Sequence, residues 1–302
     1  MMTTFHYCYY WLFYYYSILL VSVQAWKNVD EVMSLIISNN NSYISQRLNC
    51  FVKMLLEKGN ILAFGDSLTK GFVKEGRHHS FLHPYTMELS RLLNSVSSVT
   101  GQQNIDFQDF ISEQGKSGET TEFMMYRLRA VLKNQTELST TNSSNYFTRV
   151  KNRNFTFVII LGGTNDLAYK LSPKFIVNNL ISMHKLVHEY GGYSIAITVP
   201  PLLWPPPAMA IRKDVNNELR KFALSIPDRV ALLDLGSFFD DNQENLISSD
   251  ASSNIVNETD SLFISGKPNE WISSDHVHLS KYGYDQLGQY VFLKLVSNRW
   301  VF

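Results

Sequence analysis

Ser67 stands in the string Gly65-Asp66-Ser67-Leu68-Thr69-Lys70-Gly71, and an acid and an imidazole lie three residues apart in Asp275-His276-Val277-His278. A serine hydroxyl is a weak nucleophile until a nearby base takes its proton. A histidine acting as that base needs an acid to hold its ring in the right tautomer and orientation. A turn over three residues brings the Asp275 carboxylate to the His278 ring. Attack on an ester carbonyl also creates an oxyanion, which needs preorganised N–H donors. The backbone N–H groups of Ser67 and Gly118 and the side-chain amide of Asn165 are of the right kind. The latter two residues lie in Gly115-Lys116-Ser117-Gly118-Glu119-Thr120-Thr121 and Gly162-Gly163-Thr164-Asn165-Asp166. These residue types make a complete set for acyl transfer from an ester.

Such a set works only if the fold brings four distant strings to one place. The spacing of apolar residues predicts alternating strands and helices. Strands are expected at 61–64, near 104–111, at 155–161, at 193–199 and at 230–235, with helices at 84–96, 119–133, 173–190, 208–224 and 282–296. The run Phe155-Thr-Phe-Val-Ile-Ile-Leu161 is continuously apolar, as a strand covered on both faces requires. Strands alternating with helices imply a parallel sheet with helices on both sides, an α/β three-layer domain of about five strands. Ligands of such sheets bind beyond the carboxyl ends of the strands. Three of the four strings follow a predicted strand and the fourth precedes the last helix, so all four open onto one crevice. Residues 28–58 carry helical spacing and predict one or two helices outside the sheet. The stretch 134–154 reads as a polar surface insertion, and 236–274 as a long segment without periodicity.

With these strings in this order, the chain resembles the GDSL, or SGNH, hydrolase superfamily over roughly residues 60–296. Gly65–Leu68 matches the first block, with Ser67 as nucleophile. Ser117-Gly118-Glu119-Thr120 matches the second, with Gly118 as an oxyanion donor. Gly163-Thr164-Asn165-Asp166 matches the third, with Asn165 as the other donor, and Asp275-His276-Val277-His278 matches the last. The resemblance implies a flavodoxin-like α/β/α sandwich and ester hydrolysis by a Ser67-His278-Asp275 triad without metal or organic cofactor. His276 departs from the pattern, standing where a small residue, often Gly, is common. An acyltransferase would use the same triad, and a catalytically idle binding protein on the same scaffold is the reading from another class. Acetylated sugars, short aliphatic esters and lipid esters all suit the chemistry as substrates.

Composition narrows the partners. The 302 residues carry 27 Lys+Arg and 27 Asp+Glu, a net charge of zero, which gives no electrostatic footprint for nucleic acid. Apolar residues make up 45%, enough to bury a sizeable core, and the two cysteines, Cys8 and Cys50, cannot build a disulfide framework. Phe5 to Val23 contains no Asp, Glu, Lys or Arg, and Val23 and Ala25 sit at the small-residue positions before Trp26. Residues 1–25 therefore read as a secretory signal peptide, with an uncleaved membrane anchor as the rival, 26–58 as a helical extension and 59–302 as the hydrolase domain. Membrane contact is expected only through residues 5–23, and the destination is the secretory pathway or the exterior. Five N-x-S/T sequons occur, at Asn40, Asn134, Asn142, Asn154 and Asn257, with Asn134 and Asn142 the favoured acceptors.

Other readings of the same residues are weaker. Ser67 is a suitable helix cap, and Asp66 and Asp166 are suited to ordering their own loops. Gly115-Lys116-Ser117 resembles the end of a phosphate loop, but Phe110 stands where that motif needs glycine. His78, His79 and His83 lack the carboxylate pattern of a metal site. Pro200 to Pro207, with Trp204, is either a rigid loop or an apolar wall for an acyl chain.

Overall fold

The computed structural model describes residues 42–99, 105–139, 154–201, 206–244, 268–298 and 300. The proposed signal segment, Trp204 and the sequons at Asn40, Asn142 and Asn257 lie outside them. Five strands form one parallel sheet: β1 (Asn60–Gly65), β4 (Ile111–Gly115), β5 (Phe155–Leu161), β6 (Tyr193–Ile197) and β7 (Val230–Leu233). Their order is β4-β1-β5-β6-β7, every neighbouring pair parallel. A small antiparallel hairpin, β2 (Phe72–Glu75) with β3 (His79–Leu82), lies apart from the sheet.

Side-chain alternation along the strands builds two cores. Ile61, Ala63, Phe157, Ile159 and Ile195 point to one face; Leu62, Phe64, Val158, Ile160 and Ala196 point to the other. The first face is covered by α1 (Ser42–Lys58), α3 (Tyr85–Val99) and α10 (Lys281–Ser297), through residues such as Phe51, Leu55, Leu89, Leu93, Leu287 and Val291. The second is covered by α4 (Thr121–Ser139), α6 (Pro173–Glu189) and α7 (Pro206–Ser225), through Met124, Leu128, Leu180, Met183, Val215 and Leu219. The result is the three-layer α/β fold the alternation predicts. Among the described residues no helix is long and apolar enough to cross a membrane.

The chain leaves β1 toward the first face and leaves β4 and β5 toward the second. The strand order is therefore the doubly wound one in which the direction of winding reverses between β1 and β5, and the carboxyl-end crevice opens there. Two short helices stand at that switch, α2 (Ser67–Lys70) after β1 and α5 (Thr164–Ala168) after β5.

Three regions differ from the sequence expectation. The second sheet strand is not at 104–111: Phe107–Phe110 is a 3-10 turn and β4 begins at Ile111. The Asp106 side chain caps that turn at the Gln108 N–H, and Phe107 and Phe110, three apart, both bury into the first core. The polar insertion starts later than 134, because α4 continues to Ser139; Asn134 is an exposed residue of that helix rather than of a loop. Residues 236–274 are not wholly irregular. Phe238 and Phe239 pack on Trp271, which places α8 (Leu235–Glu244) beside α9 (Pro268–Trp271).

Candidate active site

Gly65 ends β1 where only a glycine fits. A Cβ there would stand 2.2 Å from both the Leu161 carbonyl oxygen and Thr69 Oγ1. The chain turns at once into α2, whose first residue is Ser67, 6% exposed. Asp66 caps this turn by accepting from the Leu68 N–H at 2.9 Å. As first residue of a helix, Ser67 keeps its own N–H clear of intrahelical bonding.

Asp275 and His278 come from the loop between α9 and α10. Trp271 is buried at the foot of this loop, and its carbonyl oxygen accepts from the Ser280 N–H at 2.7 Å. Ser273 N–H donates to the His278 carbonyl oxygen at 2.8 Å, closing a tight turn. Within the turn the Asp275 carboxylate accepts from the Val277 and His278 backbone N–H groups at 3.0 and 2.9 Å. His278 Nδ1 lies 2.7 Å from Asp275 Oδ2, and His278 Nε2 lies 2.8 Å from Ser67 Oγ. A carboxylate only accepts, so Nδ1 carries the proton and Nε2 faces the serine as acceptor. Burial acts to raise the Asp275 carboxyl, but the hydrogen bonds from the His278 side chain and backbone and from Val277 outweigh it and hold the group below its usual range. His276 sits at φ 58 in this turn, the left-handed region that favours glycine.

The hairpin braces this loop. Lys74 N–H donates to Ser273 Oγ at 2.8 Å, and the Lys74 carbonyl oxygen accepts from Ser274 N–H at 3.1 Å and from Ser274 Oγ at 2.8 Å. Tyr284 OH donates to the Phe72 carbonyl oxygen at 3.1 Å, and the Phe72 ring lies 4.8 Å from the His278 ring. The imidazole is thus fixed by Asp275 on one edge and by an aromatic ring beside it.

Gly118 and Asn165 approach from β4 and β5. Gly118 has φ 78 and is exposed, and its N–H has no acceptor among the described residues. Asn165 Nδ2 donates to the carbonyl oxygen of Glu119, the residue after Gly118, at 2.9 Å and lies 3.4 Å from Asp66 Oδ2. Asp166, next in sequence, accepts from the Thr121 N–H at 2.9 Å and Thr121 Oγ1 at 2.6 Å, tying α5 to the start of α4. Asp66 and Asp166 therefore act as loop-ordering carboxylates. Burial, together with the nearby Asp166 and Glu119 charges, pushes Asp66 up to about 7 against the hydrogen bond from Leu68.

The structure so brings Ser67, His278 and Asp275 into one hydrogen-bonded row, and links Asn165 to the Gly118 loop through Glu119. His79 and His83 point elsewhere: His79 Nδ1 meets Glu75 at 3.3 Å and His83 Nε2 meets Asp285 at 2.6 Å. The reading of the sequence missed the bracing hairpin and missed Arg127, whose guanidinium binds Glu119 and two strand-end carbonyls. The only signal for Arg127 was an arginine beside the core-facing Leu128 of α4.

A profile of the family described as GDSL-like Lipase/Acylhydrolase matches residues 63–286. Among solved structures, the chain is similar to LAE5, an alpha/beta hydrolase enzyme from the metagenome of Lake Arreo, Spain, at 14% identity and TM-score 0.51, over 80% of this chain and 97% of that one. It is also similar to a family 3 carbohydrate esterase of Clostridium thermocellum, at 17% identity and TM-score 0.50, over 79% of this chain and 95% of that one. No curated protein sequence matches significantly.

Proposed function

The chain belongs to the GDSL-like lipase/acylhydrolase family, a family of hydrolases, and from that premise we propose that it cleaves carboxylic esters through an acyl-enzyme on Ser67. The observation that carries this is the unbroken row Ser67 Oγ, His278 and Asp275, with contacts of 2.8 and 2.7 Å. In the proposed reaction Ser67 Oγ attacks the ester carbonyl as its proton passes to His278 Nε2. Asp275 holds Nδ1–H and balances the imidazolium that forms. The oxyanion takes hydrogen bonds from the Ser67 and Gly118 N–H groups and the Asn165 amide. His278 returns the proton to the leaving alcohol, then takes one from the water that attacks the acyl-serine carbonyl and passes it to Ser67 Oγ as that bond breaks and the acid leaves.

Treatment with a fluorophosphonate tests the reading. One adduct per chain on Ser67, together with turnover of p-nitrophenyl esters, is the expected result. The acetate-to-palmitate profile then gives the acyl preference. A folded chain that is neither labelled nor active overturns the proposal. We further propose that residues 1–25 are a signal peptide removed before Trp26, a reading supported by the uncharged Phe5–Val23 run. Expression in a secreting host is expected to give a mature N-terminus at Trp26.

A further inference from the structure

The three groups proposed to hold the oxyanion come from three strand ends, and one guanidinium is bonded to two of those ends and, through Glu119, reaches the third. Arg127 projects from α4. Its Nε donates to Glu119 Oε2 at 2.8 Å and its Nη2 to the same oxygen at 2.5 Å. Its Nη1 donates to the Gln114 carbonyl oxygen at 2.9 Å, and its Nη2 to the Gly65 carbonyl oxygen at 2.9 Å. Beneath it, the Phe64 ring centroid lies 4.0 Å from the guanidinium carbon. Four donor contacts thus reach the end of β1, the end of β4 and the loop that follows β4.

Two of the three residues it binds, Gly65 and Glu119, lie within two residues of a proposed oxyanion donor. Gly65 is two residues before Ser67, and its carbonyl oxygen also accepts from the Lys116 N–H at 3.0 Å. Glu119 follows Gly118, and its own carbonyl oxygen receives the Asn165 amide at 2.9 Å. The Glu119 side chain, 4% exposed, has one oxygen on Arg127 and the other 3.6 Å from Lys116 Nζ. Among the described contacts Arg127 bonds to Glu119, Gln114 and Gly65 and to none of the three proposed donors themselves.

We propose that Arg127 is a positioning residue for the oxyanion hole: by binding Gly65, Gln114 and Glu119 at once it sets the spacing of Ser67 N–H, Gly118 N–H and the Asn165 amide. This rests on the reading of those three groups as oxyanion donors. A planar fork with five N–H donors can span three acceptors in fixed directions, and a lysine ammonium cannot. Freed from it, the loops shift relative to one another. Misplacement of about 1 Å in a catalytic array costs on the order of 100-fold in rate.

The test compares Arg127→Met, Arg127→Lys and Asn165→Ala, with Arg220→Met as a control. Arg220 is similarly half-buried and binds Asp234 with two nitrogens, but it holds the end of β7 rather than the site. Active sites are counted with a fluorophosphonate, kcat and KM are measured on p-nitrophenyl butyrate, and Ki is measured for a trifluoromethyl ketone that forms an oxyanion on the serine. Asn165→Ala is expected to lower kcat by ~10²–10³. Arg127→Met is expected to lower kcat per titrated site by ~10–100-fold with KM within about twofold, and to raise Ki by the same factor. Arg127→Lys recovers only part of this, and Arg220→Met leaves kcat per site unchanged. If Arg127→Met does not fold, Arg127→Lys decides. Turnover within about twofold of wild type in either Arg127 variant, or a loss confined to KM, overturns the proposal while Asn165→Ala remains impaired. An unimpaired Asn165→Ala overturns the oxyanion reading itself, and the role of Arg127 falls with it.

Discussion

Arg127 at the ends of β1 and β4 and Arg220 at the end of β7 each grip one carboxylate with two nitrogens, yet the surroundings of the two pairs differ. Around Arg220 the hydrogen bonding is closed. Asp234 also accepts from Thr198 Oγ1 at 2.9 Å, Thr198 Oγ1 accepts from the Gly236 N–H at 2.7 Å, and both backbone groups of Val199 bind the Asn216 amide. Around Arg127, by contrast, the loops end in N–H groups, at Ser67 and Gly118, that have no acceptor among the described residues. The two aspartates of these regions, Asp66 buried and Asp234 half-buried, diverge in the same way. Burial raises Asp234, but the Arg220 hydrogen bonds and charge, with Thr198 and Ser237, hold it below the ordinary carboxylate range. Asp66 is pushed up to about 7, by its burial first and then by the nearby Asp166 and Glu119 charges. Closed networks stabilise an edge of the sheet. The edge proposed to receive charge during the reaction keeps donors free and carries unfavourable electrostatics at rest.

The largest expected effect breaks the comparison on its chemical side. Asp275→Asn keeps the shape of the turn but turns the His278 ring toward the wrong tautomer, and kcat is expected to fall ~10⁴-fold with little change in thermal stability. Steady-state kinetics beside a melting curve check both halves, and a loss of stability without loss of rate would place Asp275 with Asp234.

The next effect sharpens the electrostatic contrast, and the two aspartates carry opposite signs. Native Asp66 holds a proton up to about pH 7, whereas the unfolded carboxyl loses it near ~4. The unfolded state therefore binds fewer protons in that window, and the stability that Asp66 contributes falls as pH rises from ~4 to about 7. Asp66→Asn is expected to remove this slope, worth on the order of 4 kcal/mol at most. Asp234, held below its unfolded value, contributes stability above that value and loses it as pH falls through its folded one. Asp234→Asn is accordingly expected to destabilise at neutral pH and to be nearly silent in acid. Urea unfolding across pH 3–8 separates them, and parallel curves for the two variants would dissolve the contrast.

The smallest effect concerns the acid–base loop alone. His276 at φ 58 carries a left-handed strain that glycine lacks, and His276→Gly is expected to raise stability by about 0.5–1 kcal/mol without changing kcat. A matching fall in stability would mean that the His276 side chain anchors the loop.

What the sequence disclosed follows from the range of the interactions involved. The four strings are legible because each packs its chemistry into a few adjacent residues: Asp275 reaches His278 inside one turn, and Asp66 caps the helix that carries Ser67. The continuously apolar β5 is legible for the same local reason, and its bounds match the expectation. The hairpin is not. Its strands are four residues each, with a mixed burial pattern in β2 and a mostly exposed β3, and are held by Ser273 and Ser274 some two hundred residues away. Arg127 is hidden for a similar reason, since it binds main-chain carbonyl oxygens, which every residue has. At β4 the alternation of Ile105 and Phe107 imitated a strand, while the Asp106 cap and the spacing of Phe107 and Phe110 made a turn.

The central claim is that Ser67, activated by His278, forms the acyl-enzyme. Hydrolysis of p-nitrophenyl acetate by the wild-type chain and by Ser67→Ala, each verified as folded, tests it most directly. In the variant kcat is expected to fall by ~10⁴-fold or more, together with loss of fluorophosphonate labelling. A Ser67→Ala chain that hydrolyses the ester at the wild-type rate would contradict it.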